Sequence, residues 1–132
     1  MRIVLDTNVI VSALLTPSGP PASVLNLVLR GSATLLIDNR ILFEYDDVLR
    51  RKKFDFPMHA IDALIDFTKA SAHFITAAPI SIKLPDDDNR PFYEVAISGD
   101  ADYLVTGNKS HFPRKPIVVT PKQLLDISTE AR

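Results

Sequence analysis

Residues 1–15 read MRIVLDTNVIVSALL, and this stretch indicates the fold class. Residues 2–5 form a short, mainly aliphatic run, which predicts a buried strand that ends at Asp6. Residues 8–15 predict a helix directly after this strand. Because the strand lacks the alternation of a half-exposed sheet, it favours a mainly parallel sheet that helices cover on both faces.

The same alternation of short strands and helices continues along the chain. Helices are predicted, from apolar spacing, at residues 22–30, 39–52, 58–72, 92–97 and 121–127. Extended segments are predicted at residues 33–37, 73–76, 80–84, 103–106 and 117–120. The sequence therefore predicts a single α/β domain over residues 1–132. Ligands of such sheets bind beyond the carboxyl ends of the strands, so candidate site residues should follow the strands directly.

The composition excludes several classes of functional site. The 132 residues include no cysteine, which excludes disulfides, thiolate zinc sites and cysteine nucleophiles, so any metal must be held by oxygen or imidazole. The four glycines form no cluster after the first strand, which excludes phosphate-binding loops of the dinucleotide or NTP type. The formal net charge is −1, so a nucleic acid would have to meet a local basic patch.

The beginning of the chain also bears on location. Asp6 and Asn8 interrupt the first apolar run, so we expect neither a signal peptide nor a membrane span. The lack of cysteine suits a reducing compartment. We therefore expect a cytoplasmic protein that does not associate with membranes.

Acidic residues follow two predicted strands and lie on one predicted helix. Asp6 follows the first strand, where it could also cap the next helix. Glu44 lies beside the apolar stripe of helix 39–52, where its charge needs a partner; a salt bridge, or a side chain extended along the rim, is the structural alternative. Residues 86–88 are three consecutive aspartates before the helix that begins near Pro91, and capping explains one of the three.

These acids predict a divalent-cation site if the sheet brings them to one side. Like charges packed together cost free energy unless a cation offsets their repulsion. Three or four carboxylates without cysteine or a histidine cluster favour Mg²⁺ or Mn²⁺ over zinc. Such an ion activates water and neutralises charge on a phosphodiester, so the predicted chemistry is phosphate-ester cleavage.

Two basic clusters could contact the phosphates of RNA. The first follows the strand at residues 103–106 and consists of Lys109, His111, Arg114 and Lys115. The second, residues 50–53, ends the helix that carries Glu44. We favour a structural role for the second cluster, since basic side chains stabilise the C-terminus of a helix.

Five stretches resemble, in order and spacing, the motifs of the PIN-domain family, and more narrowly its bacterial branch of toxins from toxin–antitoxin pairs. They are IVLDTNVIVSALL, LFEYDDVLRRKKF, PDDDNRPFYEVA, DADYLVTGNKSHFP and IVVTPKQLL, and they run from residue 2 to about residue 127. The resemblance implies a three-layer α/β/α sandwich with a central parallel sheet. It also implies an Mg²⁺- or Mn²⁺-dependent endoribonuclease, a hydrolase that is a homodimer and is neutralised by a cognate antitoxin.

The resemblance also assigns roles to residues. Asp6 falls on the first metal-binding Asp of the family and Glu44 on its second acid. Aligning RPFYEVA places Asp86 and Asp88 on two acids of a D-x-D-D motif, whereas Asn89 stands where we expect Asp. Asn108 stands where many members have a fourth Asp. The predicted catalytic residues are Asp6, Glu44 and Asp88, with Asp86 as a further metal ligand; the predicted substrate- or water-binding residues are Asn8, Asn89, Thr106, Asn108 and Lys109.

Two alternatives stay open at this point. An amide can coordinate a cation through its oxygen but brings no charge, so Asn89 and Asn108 lower the expected metal affinity. The chain could therefore be a catalytically weakened PIN-like module that binds RNA or a protein. A receiver-like signalling domain is the other alternative, but it needs paired acids at the end of the first strand, where this chain has Thr7 and Asn8.

Overall fold

A computed structural model describes the backbone of residues 1–130 and the side chains of residues 1–129. Five strands form one sheet in the order β3-β2-β1-β4-β5, and all neighbours are parallel. The strands are β1 (Arg2–Leu5), β2 (Thr34–Ile37), β3 (His73–Phe74), β4 (Tyr103–Val105) and β5 (Val118–Val119). This confirms the predicted parallel α/β fold. Residues 131 and 132 of the predicted domain lie outside the described residues.

Six helices connect the strands, close to their predicted positions. They are α1 (Thr7–Leu15), α2 (Pro20–Leu29), α3 (Asn39–Leu49), α4 (Met58–Ser71), α5 (Arg90–Ser98) and α6 (Pro121–Glu130), with 3₁₀ turns at Asp87–Asn89 and Lys109–His111. Asp38 caps α3 by accepting a hydrogen bond from the N–H of Ile41 at 3.0 Å. Among the described residues, no helix combines the length and the apolar character needed to cross a bilayer.

The chain order places helices on both faces of the sheet. The connections from β1 to β2 to β3 run toward one edge, whereas the connection through α5 returns to β4 on the other side of β1. Since such crossovers are right-handed, the returning helix lies on the opposite face from α1 to α4. Ile3, Val4 and Leu5 of the central strand are completely buried, as a strand covered on both faces requires.

The predicted extended segment at residues 80–84 is wrong, because no strand forms there. Side chains of α5 form hydrogen bonds with backbone groups that would otherwise bond to a neighbouring strand. Glu94 accepts from the N–H of Ile80 at 2.9 Å, and Arg90 donates to the carbonyl oxygens of Ile80 and Ile82. Glu94 is itself buried and paired with Arg40 at 2.8 Å. The segment is therefore held by the helix rather than by the sheet.

Candidate active site

The carboxyl ends of β1 and β4 are the point where the strand order reverses. The chain leaves β1 toward one edge of the sheet and β4 toward the other, and ligands of open α/β sheets bind at such a switch point. Leu5 pairs with Val105, so the next residues, Asp6 and Thr106, emerge side by side. The hydroxyl of Thr106 donates to Oδ2 of Asp6 at 2.8 Å, and both residues are buried.

Asp6 occupies the N-cap position of α1, but its side chain makes no capping hydrogen bond. Burial raises the pKa of the Asp6 carboxyl, while the hydroxyl of Thr106 and the N–H groups of Thr7 and Asn8 act in the opposite direction. The carboxylate is oriented by a neutral hydroxyl, the charge of His111 also favours its ionised form, and within residues 1–129 no basic side chain forms an ion pair with it. A buried group of this kind suits the binding of a cation.

Two contacts bring Glu44 of α3 near Asp6, and we call the region around these two carboxylates the acidic pocket. Tyr45, the next residue of the helix, donates its buried hydroxyl to the carbonyl oxygen of Leu5 at 2.5 Å and so ties α3 to the end of β1. The hydroxyl of Thr7 donates to Oε2 of Glu44. The alternative of a salt bridge is not seen, because within residues 1–129 no basic side chain forms an ion pair with Glu44.

Electrostatic repulsion acts on Glu44 in this pocket. Burial raises the pKa of its carboxyl, the hydroxyl of Thr7 lowers it, and the negative charges of Asp6 and Asp88 raise it further. The charge of Arg51 acts weakly in the opposite direction, and the net shift is upward. Asp6 and Asp88 are therefore both close enough to Glu44 for their charges to act on its carboxyl.

The three consecutive aspartates have three different environments. Asp86 accepts from the N–H of Asp88 at 3.1 Å, and its other oxygen lies 4.0 Å from Nδ1 of His111. Asp87 is exposed and pairs with Arg90 at 2.7 Å. Asp88 is exposed and lies on the side of Glu44. The aspartates at 86 and 87 thus have structural partners, whereas Asp88 is close enough to Glu44 for its charge to act on that carboxyl.

The loop after β4 is fixed by amide side chains. Asn8 accepts from the N–H of Gly107 at 3.1 Å. Asn108 donates its backbone N–H to the hydroxyl of Thr106 at 3.0 Å, its side-chain oxygen accepts from Ser110 at 2.5 Å, and its Nδ2 lies 2.9 Å from Nε2 of His111. Both groups of the Asn108 amide are therefore engaged within its own turn.

Asn89 directly follows the three aspartates, and His111 belongs to the loop after β4. Asn89 occupies the N-cap position of α5 without a capping hydrogen bond from its side chain. His111 lies between Asn108 and Asp86, whereas the sequence indicated for it only a possible contact with RNA phosphates and no part in a metal site. Its position six residues after the end of β4, in the stretch VTGNKSH, is the only signal that could have indicated this.

The predicted acids do not form a compact metal centre. Among the side chains of residues 1–129, no group of three or more His, Asp or Glu residues is arranged closely enough to hold a metal ion. The donors nevertheless fit a hard cation. Asp6 and Glu44 are oxygen ligands in one pocket, and neither has a basic partner among these residues. Asp86, by contrast, is held by its own turn.

The two basic clusters differ in how far their charges are neutralised. Arg50 pairs with Asp46 at 2.8 Å and with Asp62 at 2.7 Å, and Arg51 pairs with Asp47 at 3.2 Å. The first cluster instead faces a groove of about 860 Å³, lined by Lys109, Arg114 and Lys115 together with Pro85, Ser110, Phe112, Pro113, Pro116 and Val118. Within residues 1–129, Arg114 and Lys115 form no ion pair, whereas His111 of this cluster lies 4.0 Å from Asp86.

Comparisons with known proteins support the fold described above. The family model described as "PIN domain" matches residues 2–110. A chain of the crystal structure of VapBC2 from Rickettsia felis, bound to a DNA fragment from their promoter, is 21% identical with a TM-score of 0.57. The match covers 91% of this chain and 97% of that chain, which shows a shared fold. No curated protein matches the sequence.

Proposed function

Since this chain belongs to the PIN-domain family, whose members are generally nucleases, we propose that it is a metal-dependent endoribonuclease. It hydrolyses RNA phosphodiester bonds with Mg²⁺ or Mn²⁺ and acts in the cytoplasm as the toxin of a toxin–antitoxin pair. One observation carries this proposal. Asp6 and Glu44 come from different elements and share a pocket at the switch point, with raised pKa values and no basic partner among the described residues.

In this proposal Asp6, Glu44 and Asp88 hold the cation, and Asp86 supports them from the rim. A divalent ion in such a site activates a water and neutralises the charge that develops on the phosphate. The hydroxyls of Thr106 and Thr7 orient the carboxylates of Asp6 and Glu44. In this proposal the amides of Asn8 and Asn108 hold the loop after β4, and Asn89 and Lys109 contact the substrate.

Incubation of the purified protein with a mixed RNA pool in Mg²⁺, Mn²⁺ or a chelator tests the proposal. We expect cleavage only with a divalent ion, and none by Asp6→Asn. Asp66→Asn, which removes an exposed carboxylate of α4, is the matched control and should cleave like the natural chain. Equal cleavage by Asp6→Asn and the natural chain would indicate a contaminating nuclease and would refute the assignment.

The absence of a compact metal cluster among the side chains of residues 1–129 favours a second candidate, a PIN-like module that binds RNA or a protein without cleaving. The amide of Asn108, engaged in its own turn, agrees with weak metal binding. Metal titration separates the two candidates. Saturating Mn²⁺ at 100 times its dissociation constant stabilises a protein by about 2.7 kcal/mol, whereas a module without the site gains almost nothing.

We also propose an antitoxin as a protein partner and a second copy of this chain. Their support is the likeness to a chain of the VapBC2 structure and the exposure of large apolar side chains. Phe43 is 74% exposed, Leu15 56% and Met58 51%, and apolar surface of this kind is typical of protein contacts. Light scattering tests the homodimer, since a particle of 14.6 kDa would show a monomer.

A further inference from the structure

We propose that the basic groove, defined by Lys109, Arg114 and Lys115, binds the phosphate backbone of single-stranded RNA beside the acidic pocket without selecting bases. This inference rests on the proposed nuclease function. It assigns the substrate path to one of the two basic clusters and specifies how that cluster recognises the strand.

The two basic clusters differ in how many of their cations form ion pairs. Within the part of the chain that the structure describes, Arg114 and Lys115 make no ion pair and no side-chain hydrogen bond, and Lys109 contacts only the neutral Gln123, at 3.3 Å. In the cluster at residues 50–53, Arg50 and Arg51 are already paired with three aspartates, and only Lys52 and Lys53 form no ion pair among the described residues. Unpaired cations attract phosphates more strongly than cations that must first lose a partner.

The groove begins close in sequence to residues of the acidic pocket and of the aspartate loop. Lys109 is three residues beyond Thr106, whose hydroxyl contacts Asp6. On the other wall, Pro85 directly precedes Asp86, and His111 lies 4.0 Å from Asp86. A strand bound in the groove therefore passes the loop of aspartates and the mouth of the pocket.

The side chains that line the groove determine whether it contacts phosphates or bases. Strand binding without sequence preference usually combines a basic groove with exposed aromatic faces on which bases stack. Phe112 is the one aromatic residue among those that line the groove, and it is only 2% exposed. Prolines form much of the remaining wall. The groove thus offers cations to phosphates and no stacking surface to bases.

The depth of Asp6 favours a single strand over a duplex. Asp6 is only 5% exposed, so the phosphate to be cleaved must descend to a recessed carboxylate. A single strand can bend locally to bring one phosphate into such a recess, whereas a duplex is stiff over tens of base pairs. The groove would then hold the adjoining phosphates of the same strand.

The test measures binding by fluorescence anisotropy in a chelator, so that no cleavage occurs. The probes are labelled 12-nucleotide oligouridylate and oligoadenylate, and a 12-base-pair RNA duplex. The triple variant Lys109→Ala, Arg114→Ala, Lys115→Ala is compared with Arg51→Ala, Lys52→Ala, Lys53→Ala, which removes the same charge from the other cluster. Circular dichroism melting confirms that each variant is folded.

Each phosphate contact to a single strand contributes about 0.7 to the slope of log affinity against log salt. We therefore expect the groove variant to lose about 2 units of slope, equally for both single strands, while the control variant keeps its slope. The natural chain should bind the duplex more weakly than either single strand. An unchanged slope in the groove variant, or an equal loss in the control, would overturn the inference.

Two further outcomes separate this inference from the proposed function. Metal-dependent cleavage by the natural chain, combined with normal binding by the groove variant, would refute the groove and keep the nuclease. Loss of binding in the groove variant without any cleavage by the natural chain would keep the groove and refute the nuclease. If polyglutamate binds as tightly as the oligonucleotides and requires the same cations, the groove is instead a site for an acidic protein segment.

Discussion

Replacement of Glu44 by Gln should stabilise the protein in a chelator and destabilise it, relative to the natural chain, in Mn²⁺. Gln can still accept the hydrogen bond from Thr7, but it removes the negative charge that Asp6 and Asp88 repel. Two like charges 4 Å apart repel by about 1 kcal/mol in water and about 4 kcal/mol at an effective dielectric constant of 20. For a half-buried pocket we expect a gain of about 1 kcal/mol, or about 4 °C in the melting temperature.

The order of stability reverses in Mn²⁺ because the natural chain gains binding free energy that the variant largely lacks. At 100 times the dissociation constant this gain is about 2.7 kcal/mol, which exceeds the electrostatic relief. Thermal denaturation followed by circular dichroism, in EDTA and in millimolar Mn²⁺, measures both effects. The matched control is Glu94→Gln, which removes a carboxylate paired with Arg40 and should destabilise in both solutions.

The pH dependence of stability tests whether the charge of Glu44 destabilises the natural chain. The folded-state pKa of Glu44 is raised above its usual value of 4.5, so the charged form costs stability at neutral pH. This cost disappears as the pH falls through the folded-state pKa toward 4.5, where the natural carboxyl becomes protonated. The advantage of Glu44→Gln in EDTA should therefore shrink on acidification. A variant that is less stable than the natural chain in EDTA at pH 7 would refute the reasoning.

Three further predictions concern other groups near the site. In Glu94→Gln, stability should fall by about 1–2 kcal/mol at pH 7. Although burial raises the Glu94 pKa, the hydrogen bonds from Arg40 and Ile80 lower it below 4.5 overall, so denaturation curves should show this loss fading below that pH. Thr106→Val removes the donor to Asp6, so Mn²⁺ titration should show weaker binding and RNA assays roughly tenfold slower cleavage. Asn89→Asp should leave cleavage unchanged or raise it, since it adds a charge at the rim; slower cleavage would contradict its placement.

The fold followed from local patterns because the central strands are buried on both faces. The run at residues 2–5 and the apolar spacing of residues 39–52 are local properties, and the structure places β1 and α3 there. The prediction of a strand at residues 80–84 was wrong for a non-local reason. Their backbone groups are bound by Glu94 and Arg90, and nothing within the segment itself indicates those partners.

Candidate site residues were easier to find in the sequence than to arrange. Asp6 and Glu44 could be selected from their positions beside a strand end and an apolar stripe, but their common pocket depends on the contact between Tyr45 and Leu5. The three aspartates could not be distinguished by pattern. Asp87 is separated from the others by its ion pair with Arg90, which depends on the turn that these residues form.

The choice of hydrogen-bond donors explains why the pocket keeps its charge. Asp6 and Glu44 each accept from a threonine hydroxyl, and a hydroxyl orients a carboxylate without neutralising it. A lysine or arginine in either place would also satisfy the oxygen, but its charge would remove the repulsion that a divalent ion relieves. Glu94 shows that outcome in the same molecule, since it is buried, paired with Arg40 and has a lowered pKa. Of these three carboxylates, Glu94 is stabilised by the positive charge of Arg40, whereas Asp6 and Glu44 repel each other. This contrast is the physical basis for proposing the metal at the switch point.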